Sequence, residues 1–478
     1  MKPSKFSLTL LFSYYLSFAS ATLAGEVISL EGASIDPKYF SGPARQIMRL
    51  SDGRIYATLM STANDGSKAQ LFAAQDGKSS WVDVSGALSK KQVTEVASDT
   101  GPLGTYIAYV GNIEKIGYIA HFPDPIGNPG KFNTIAVTPK SALLTGTVIA
   151  TSKGDDSINS TVYGWLDSVN KKISIGISQD GKTFGKIKEI VSDNEIASGP
   201  SLAIHNKYIL VSYLTRNKSI MSANTLDKQL AALAFVESWD GGRSWTSPRP
   251  VLGDKAEKVK IEAPVLSNGM TQKASHLYAN GGARDIGNSL AWPKNDLGAR
   301  IFVLSEQAVI SDSTETNETL RENRPFVAIL NFKDLSDGPS AKWNHVVASE
   351  YQPNLLEKNS GQISSLQYSA LPGTSLRAVA YRERAAKADR IAVSLSVNTG
   401  KTFDKVVKFD PVSIGVAPST DFSFTTSSCL RRDSKGDVFL DILIASSGNK
   451  DAKFESIPVD INLRDLPASM FNTVPRWP

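Results

Sequence analysis

Apolar residues in this chain recur at alternate positions over short runs, and clusters of Gly, Asp, Asn and Ser separate the runs. Residues 54–59 (Arg-Ile-Tyr-Ala-Thr-Leu), 208–213 and 437–442 are examples. Alternation with period two over four to eight residues marks a strand whose two faces meet different surroundings. Few stretches carry the 3.6-residue period of an amphipathic helix, so the pattern predicts an all-β chain of many hairpins.

One turn sequence returns between these strands. Ser238-Trp239-Asp240-Gly241-Gly242-Arg243-Ser244-Trp245 fits S-x-D-x-G-x-[ST]-[WF] in full. Ser396 to Phe403 fits with Asn398 in the Asp place, Ser178 to Phe184 fits with one residue fewer, and Ala74 to Trp81 is a weaker copy around Asp76. The Asp or Asn side chain accepts from backbone N–H groups of its own turn. Gly supplies the positive φ, the hydroxyl ties the arms together, and the aromatic packs beneath. Four copies in one chain mark a repeated structural unit.

These turns are Asp boxes, and the chain resembles the sialidase-like (BNR-repeat) β-propellers. In that family the box lies on the blade periphery, away from the central pocket, so the resemblance gives Asp76, Asp180, Asp240 and Asn398 structural roles. A blade needs roughly 40–60 residues. The intervals between boxes leave room for two more units, at a degenerate turn from Asp124 to Phe132 and at Ser336-Asp337-Gly338 through Trp343. Strands at 425–430, 437–445 and 454–461 lack one partner, which residues 26–35 supply. The expectation is a single propeller over residues 26–465, with seven blades, closed by the N-terminal strand. Six blades is the alternative, since classical sialidases have six. Long loops at 266–300 and 309–325 interrupt the fifth unit, and residues 466–478 form a tail. Four innermost strands are expected to start at Gly42-Pro43, Gly101-Pro102, Gly199-Pro200 and Ala263-Pro264.

Composition narrows the function classes. The 478 residues carry 52 Lys+Arg against 47 Asp+Glu, a net charge of +5 without a long basic run. Phosphate tracking needs clustered cations, so nucleic acid is not the expected partner. Cys429 is the single cysteine, which excludes an intramolecular disulfide and a Cys-rich zinc site. It reads as a small strand hydrophobe. Lys2 and Lys5 precede an apolar run from Phe6 to Phe18, and Ala19-Ser20-Ala21 matches a small-x-small cleavage pattern. Residues 1–21 therefore read as a secretory signal, with Thr22-Leu23-Ala24 as a second cleavage option. A secreted or periplasmic monomer without a membrane span is expected.

The resemblance also directs the search for chemistry. Classical sialidases clamp a sugar carboxylate with three arginines and use a Tyr–Glu pair as nucleophile and base, with an Asp as acid/base. A guanidinium fork matches a carboxylate bidentately, and a tyrosine needs a nearby carboxylate to become nucleophilic. Arg45 lies in the region that matches the family's first arginine, although the R-I-P step is absent. Arg284 and Asp285 sit on the long loop, and Tyr381-Arg382-Glu383-Arg384 contains the remaining residue types. The candidate set is thus Tyr381, Glu383 and Asp285 for catalysis and Arg45, Arg284 and Arg382 for substrate binding. Along a strand Tyr381 and Glu383 share a face and Arg382 points away. The four histidines are scattered, and no metal or organic cofactor is expected. A glycan-hydrolysing propeller and a non-catalytic one that recognises a glycan or protein both fit these residues.

Overall fold

The computed structural model describes residues 26–30, 34–35, 46–50, 52–63, 66–75, 80–140, 144–152, 160–191, 195–205, 207–216, 232–250, 271–278, 299–311, 320–331, 344–347, 363–371, 374–383, 389–398, 400, 402–403, 405–417, 421–427, 429–446 and 449–462. Their strands form seven antiparallel sheets. The first sheet pairs Ser34–Ile35 and Ile47–Arg49 with Ile55–Ala63, followed by Gly66–Ala74 and Val82–Asp83. The second runs from Val93–Gly101 to Asn133–Ala136, the third from Leu144–Thr151 to Gly185–Val191 and the fourth from Glu195–His205 to Arg249–Pro250. The fifth runs from Thr271–Tyr278 to Asn344–Val347 and the sixth from Ile363–Ala370 to Lys405–Phe409.

The seventh sheet combines Phe422–Thr426, Asp437–Ser446 and Asp451–Asn462 with Glu26–Ser29 from the other end of the chain. Glu26 to Ser29 pair in register with Phe454 to Asp451. First strands pack on first strands of the next sheet: Val93–Gly101 on Leu144–Thr151, that strand on Glu195–His205, and Ile363–Ala370 on Phe422–Thr426. The meander therefore runs outward from an inner ring of first strands, the arrangement of a β-propeller.

Three expectations change in detail. The segment 26–35 is divided, because Ser34–Ile35 pairs with Thr62 and Ser61 of the first sheet. Only Glu26–Ser29 completes the seventh. Gly101-Pro102 does not start a strand. Gly101 pairs with Gly104 across a tight turn, where proline's fixed φ suits the first corner position. Gly199-Pro200 lies inside Glu195–His205, where the register shifts between Ser198 and Ser201 and proline's missing N–H leaves no ladder bond unmade. Of the expected long loops of the fifth unit, 266–300 contains the strand Thr271–Tyr278, and the strands Ala299–Ser311 and Leu320–Asn331 extend into the ends of 266–300 and 309–325. Residues 42–43, 263–264 and 336–343 lie outside the described residues.

Both faces of a sheet are buried, and strand alternation divides each strand between two joints. Ile173 and Ile175 face the fourth sheet with Val211 and Val236. Tyr163 and Trp165 face the second sheet with Tyr106, Ala108 and Ile119. Each fully buried side chain of this kind contributes roughly 1.5–3 kcal/mol. Two carboxylates on the second sheet's first strand reinforce the joint. Glu95 accepts from Thr147 N (2.9 Å) and Asp99 from Thr151 N (2.8 Å). The same four-residue spacing on both strands stitches the inner ring edge to edge. At Gly146 and Gly199 the backbones of two inner strands approach so closely that a Cβ on Gly199 would lie 2.4 Å from the Gly146 Cα.

The repeated turns at Asp180, Asp240 and Asn398 lie where the third strand of a sheet turns into the fourth, whereas Asp76 lies outside the described residues. Asp240 accepts from Ser238 Oγ (2.9 Å), Ser244 N (2.9 Å) and Ser244 Oγ (2.6 Å), and Gly242 N donates to Ser238 Oγ (2.8 Å). Trp245 packs on the joint of the third and fourth sheets. Asp180 repeats the pattern with Ser178, Lys182 and Thr183. Asn398 uses Oδ1 as acceptor for Ser396 Oγ and Thr402 N, and its Nδ2 donates to Thr402 Oγ1 (2.9 Å). Hydrogen bonds from Ser244 hold the Asp240 carboxyl down at about 2. Its folded value is depressed, so its stabilisation is full above the ordinary carboxylate range and is lost as pH falls towards about 2. Asp240→Ala should therefore lower the urea midpoint at pH 7 more than at low pH. Asp240→Asn, which imitates the natural Asn398 turn, keeps the acceptor and should restore most of the loss; equal losses for both variants would show that the carboxylate's charge, and not its acceptor geometry, stabilises the turn.

Candidate functional site

Tyr381, Arg382 and Glu383 end the second strand of the sixth sheet, Arg377–Glu383. Ladder alternation sends Tyr381 into a cluster with Tyr368, Val379 and Ala392, and Phe403 packs against it. The Tyr381 side chain is fully buried. Glu383 shares that face, is also fully buried, and sits at the hairpin where the third strand begins. Lys408 Nζ lies 3.5 Å from its Oε1 and Arg390 Nε 3.8 Å from its Oε2. Two flexible cations at the rim thus hold the carboxylate's charge without a tight fork.

Arg382 projects to the other face. Its Nε donates to Asp389 Oδ2 (2.9 Å), and its Nη1 pairs with Asp421 Oδ1 (2.6 Å) and the Phe422 carbonyl. The guanidinium also lies 4.5 Å over the Phe422 ring. It bridges the sixth and seventh sheets with all its donor edges engaged from the protein. Arg45, Arg284, Asp285 and Arg384 lie outside the described residues; of the candidate set, the strand places Tyr381 and Glu383 on one face and Arg382 on the other.

Three clusters were not read from the sequence. In the fourth sheet, Tyr208 Oη donates to the buried Glu237 carboxylate at 2.9 Å, and Trp239 lies 4.6 Å from the Tyr208 ring. The signal was an acidic residue directly before the Ser238–Trp245 turn in an otherwise apolar strand. Between the first and seventh sheets, Asp441 is fully buried against Arg49, with Arg431 Nε at 3.8 Å and Ser456 Oγ at 2.5 Å. Burial lowers the Arg431 pKa, and the positive charge of Arg49 adds to that shift. Between the second and third sheets a cleft of about 370 Å³ opens beside Trp165, Lys172 and Glu189.

Cys429 is half-buried and bridges backbone to backbone with Ala370, linking the sixth and seventh sheets. Among the described residues no group of His, Cys, Asp and Glu is placed to hold a metal ion. No helix among them is long and apolar enough to cross a membrane.

No family model matches the chain, and no curated protein matches it in sequence. Among solved structures, it is similar to the polysaccharide lyase PL25 ulvan lyase, with a TM-score of 0.50 and 11% identity over 92% of this chain and 97% of that one. The same lyase bound to -[GlcA(1-4)Rha3S]- gives a TM-score of 0.49 at 11% identity, again over 92% and 97%. Aleuria aurantia lectin in complex with α-methyl-L-fucoside gives 0.35 at 9% identity, over 79% of this chain and 98% of the lectin. At such identity the likeness to the lyase establishes a shared fold.

Proposed function

We propose that this propeller binds and processes a glycan outside the cytoplasm. The observation that carries the reading is the correspondence in fold, over nearly all of both chains, with a polysaccharide lyase. Export rests on the N-terminal segment, with Lys2 and Lys5 before an apolar run and Ala19-Ser20-Ala21 after it. A mature N-terminus at residue 22 or 25, found by mass spectrometry of the protein collected outside the cytoplasm, is the expected result.

In the sialidase-type form of this reading, Tyr381 is the nucleophile and Glu383 its base. Asp285 is the acid/base, and Arg45, Arg284 and Arg382 hold the sugar carboxylate. The one observation in favour of this form is that Tyr381 and Glu383 share a strand face, although both side chains are fully buried. A second reading, recognition without catalysis, is favoured by Arg382, whose guanidinium is already engaged by Asp389, Asp421 and the Phe422 carbonyl. Release of a fluorogenic group from sialosides and neutral glycosides separates the two readings. New reducing ends and unsaturated uronate ends on polysaccharides report hydrolysis and elimination respectively.

If Glu383 is the base, Glu383→Gln should lower the rate at least roughly 100-fold with the fold intact. Full activity in that variant removes Glu383 from the reaction. An inert wild-type protein that is retained on a glycan array leaves recognition as the function, and the absence of both activity and retention overturns the proposal.

A further inference from the structure

We propose that the cleft between the second and third sheets is a separate binding site for a neutral sugar ring, independent of the chemistry at Tyr381 and Glu383. The site begins in the strand pattern. In Lys172–Ser178 the isoleucines at 173 and 175 face the fourth sheet, so Lys172 and Ser174 face the second. Trp165 lies opposite Ser174 and Asp167 opposite Lys172, while Glu189 pairs with Ser174 from the outer strand. Beside the apolar packing of Tyr163 and Trp165 in this joint, the face offers an amine, a hydroxyl and two carboxylates. Such a face cannot close on hydrocarbon without stranding polar groups.

The room that results, about 370 Å³, lies at the lower end of the range for small-ligand sites. Leu144 and Trp165 give it an apolar floor, with Trp165 4% exposed. Lys172 Nζ and Glu189 Oε1 stand 3.0 Å apart on one wall. Beside them, Asp167 Oδ1 accepts from Val169 N and Asn170 N (both 3.1 Å) and its Oδ2 from Asn170 Nδ2 (2.7 Å). These bonds fix the Asp167-to-Asn170 turn before any ligand arrives, which reduces the ordering cost of binding. Val169, which lines the cleft, is 58% exposed and adds an apolar edge to it.

The charge of the lining selects the ligand class. Lys140 and Lys172 balance Asp167 and Glu189, so the cleft has no net charge to offer an anion or a cation. Closely spaced donors and acceptors around an apolar floor match a pyranose, whose hydroxyls ring its edge and whose C–H groups form a face. The volume admits one ring or a disaccharide end. In a polysaccharide-processing propeller such a peripheral site anchors the chain away from the reaction.

Saturation-transfer NMR on the full chain with neutral pyranoses (glucose, galactose, mannose, xylose, fucose and rhamnose) tests the site, with glucuronate and galacturonate as acidic controls. At least one neutral sugar should bind saturably. Lys172→Ala and Asn170→Ala should each weaken it about ten-fold, the scale of one lost hydrogen bond to a charged or polar partner. Unchanged melting temperatures in both exposed-site variants establish that the fold is intact. Binding by none of the neutral sugars, unaltered affinity in both variants, or a uronate preferred over every neutral sugar overturns the proposal. Turnover of small fluorogenic substrates should be the same in these variants as in the wild type. An inert wild type bears on the reading of Tyr381 and Glu383, whereas this binding result stands or falls on its own.

Discussion

Asp441→Ala is expected to destabilise the protein by about 3–5 kcal/mol, the range for removing one partner of a buried ion pair. The carboxylate is fully buried and comes from the seventh sheet, whereas Arg49, which it binds, comes from the first. The Arg49 side chain is only 11% exposed. Arg431 Nε is 3.8 Å from the other carboxylate oxygen. Without the carboxylate, two guanidinium groups are left in the joint without its opposing charge, and Arg49 keeps its bond from Nη1 to the Gly53 carbonyl (3.1 Å). Asp441→Asn keeps the size and one acceptor but not the charge, so it should fall between the wild type and the alanine variant. Urea unfolding followed by tryptophan fluorescence measures both. An alanine variant within experimental error of the wild type would mean that solvent screens the cluster, and the electrostatic account of the joint would be wrong.

Removing residues 26–30 should have the second large effect, on both stability and solubility. Ile28 and Leu30 are each 1% exposed and fill the same core as Leu443 and Phe454. Truncating buried aliphatic side chains costs about 2–5 kcal/mol each. Trp81 would lose the Glu26 carboxylate that its Nε1 reaches at 3.2 Å, although it would keep its edge contact with Phe454. The deletion also uncovers the edge of Asp451–Asn462, and an unpaired edge recruits strands from other molecules. Size-exclusion chromatography should show aggregates, and a synthetic peptide spanning residues 25–35 should return part of the monomer peak. A shortened chain that stays monomeric and melts with the wild type would show that this strand is dispensable.

The propeller was legible because its signals are local. Ser238, Asp240 and Ser244 identify a turn within seven residues, and the hydrogen bonds they make involve only that turn. Chemistry set by distant partners was not. Arg49 and Asp441 are 392 residues apart in sequence, and nothing in either neighbourhood announces the other. Alternation correctly separated Arg382 from Tyr381 and Glu383, but it gave no hint that Asp389 and Asp421 engage the guanidinium. The cleft was not legible. Lys172 and Ser174 are ordinary polar positions of an alternating strand, and a cavity depends on what the facing sheet fails to supply. The Gly-Pro steps misled because proline serves equally at a hairpin corner and at a bulge, as Pro102 and Pro200 do.

The shared seventh sheet also sets the order in which the molecule can be made. Ser29 bonds Asp451 across 422 residues of chain, so the earliest strand of the fold must wait for nearly the last to emerge. During vectorial synthesis the middle sheets can assemble on their neighbours, while Glu26–Ser29 stays without its partner until the C-terminal hairpin is delivered. Completion is therefore a single late event, and a nascent chain stalled before residue 451 carries an unfinished ring however well its other sheets have formed.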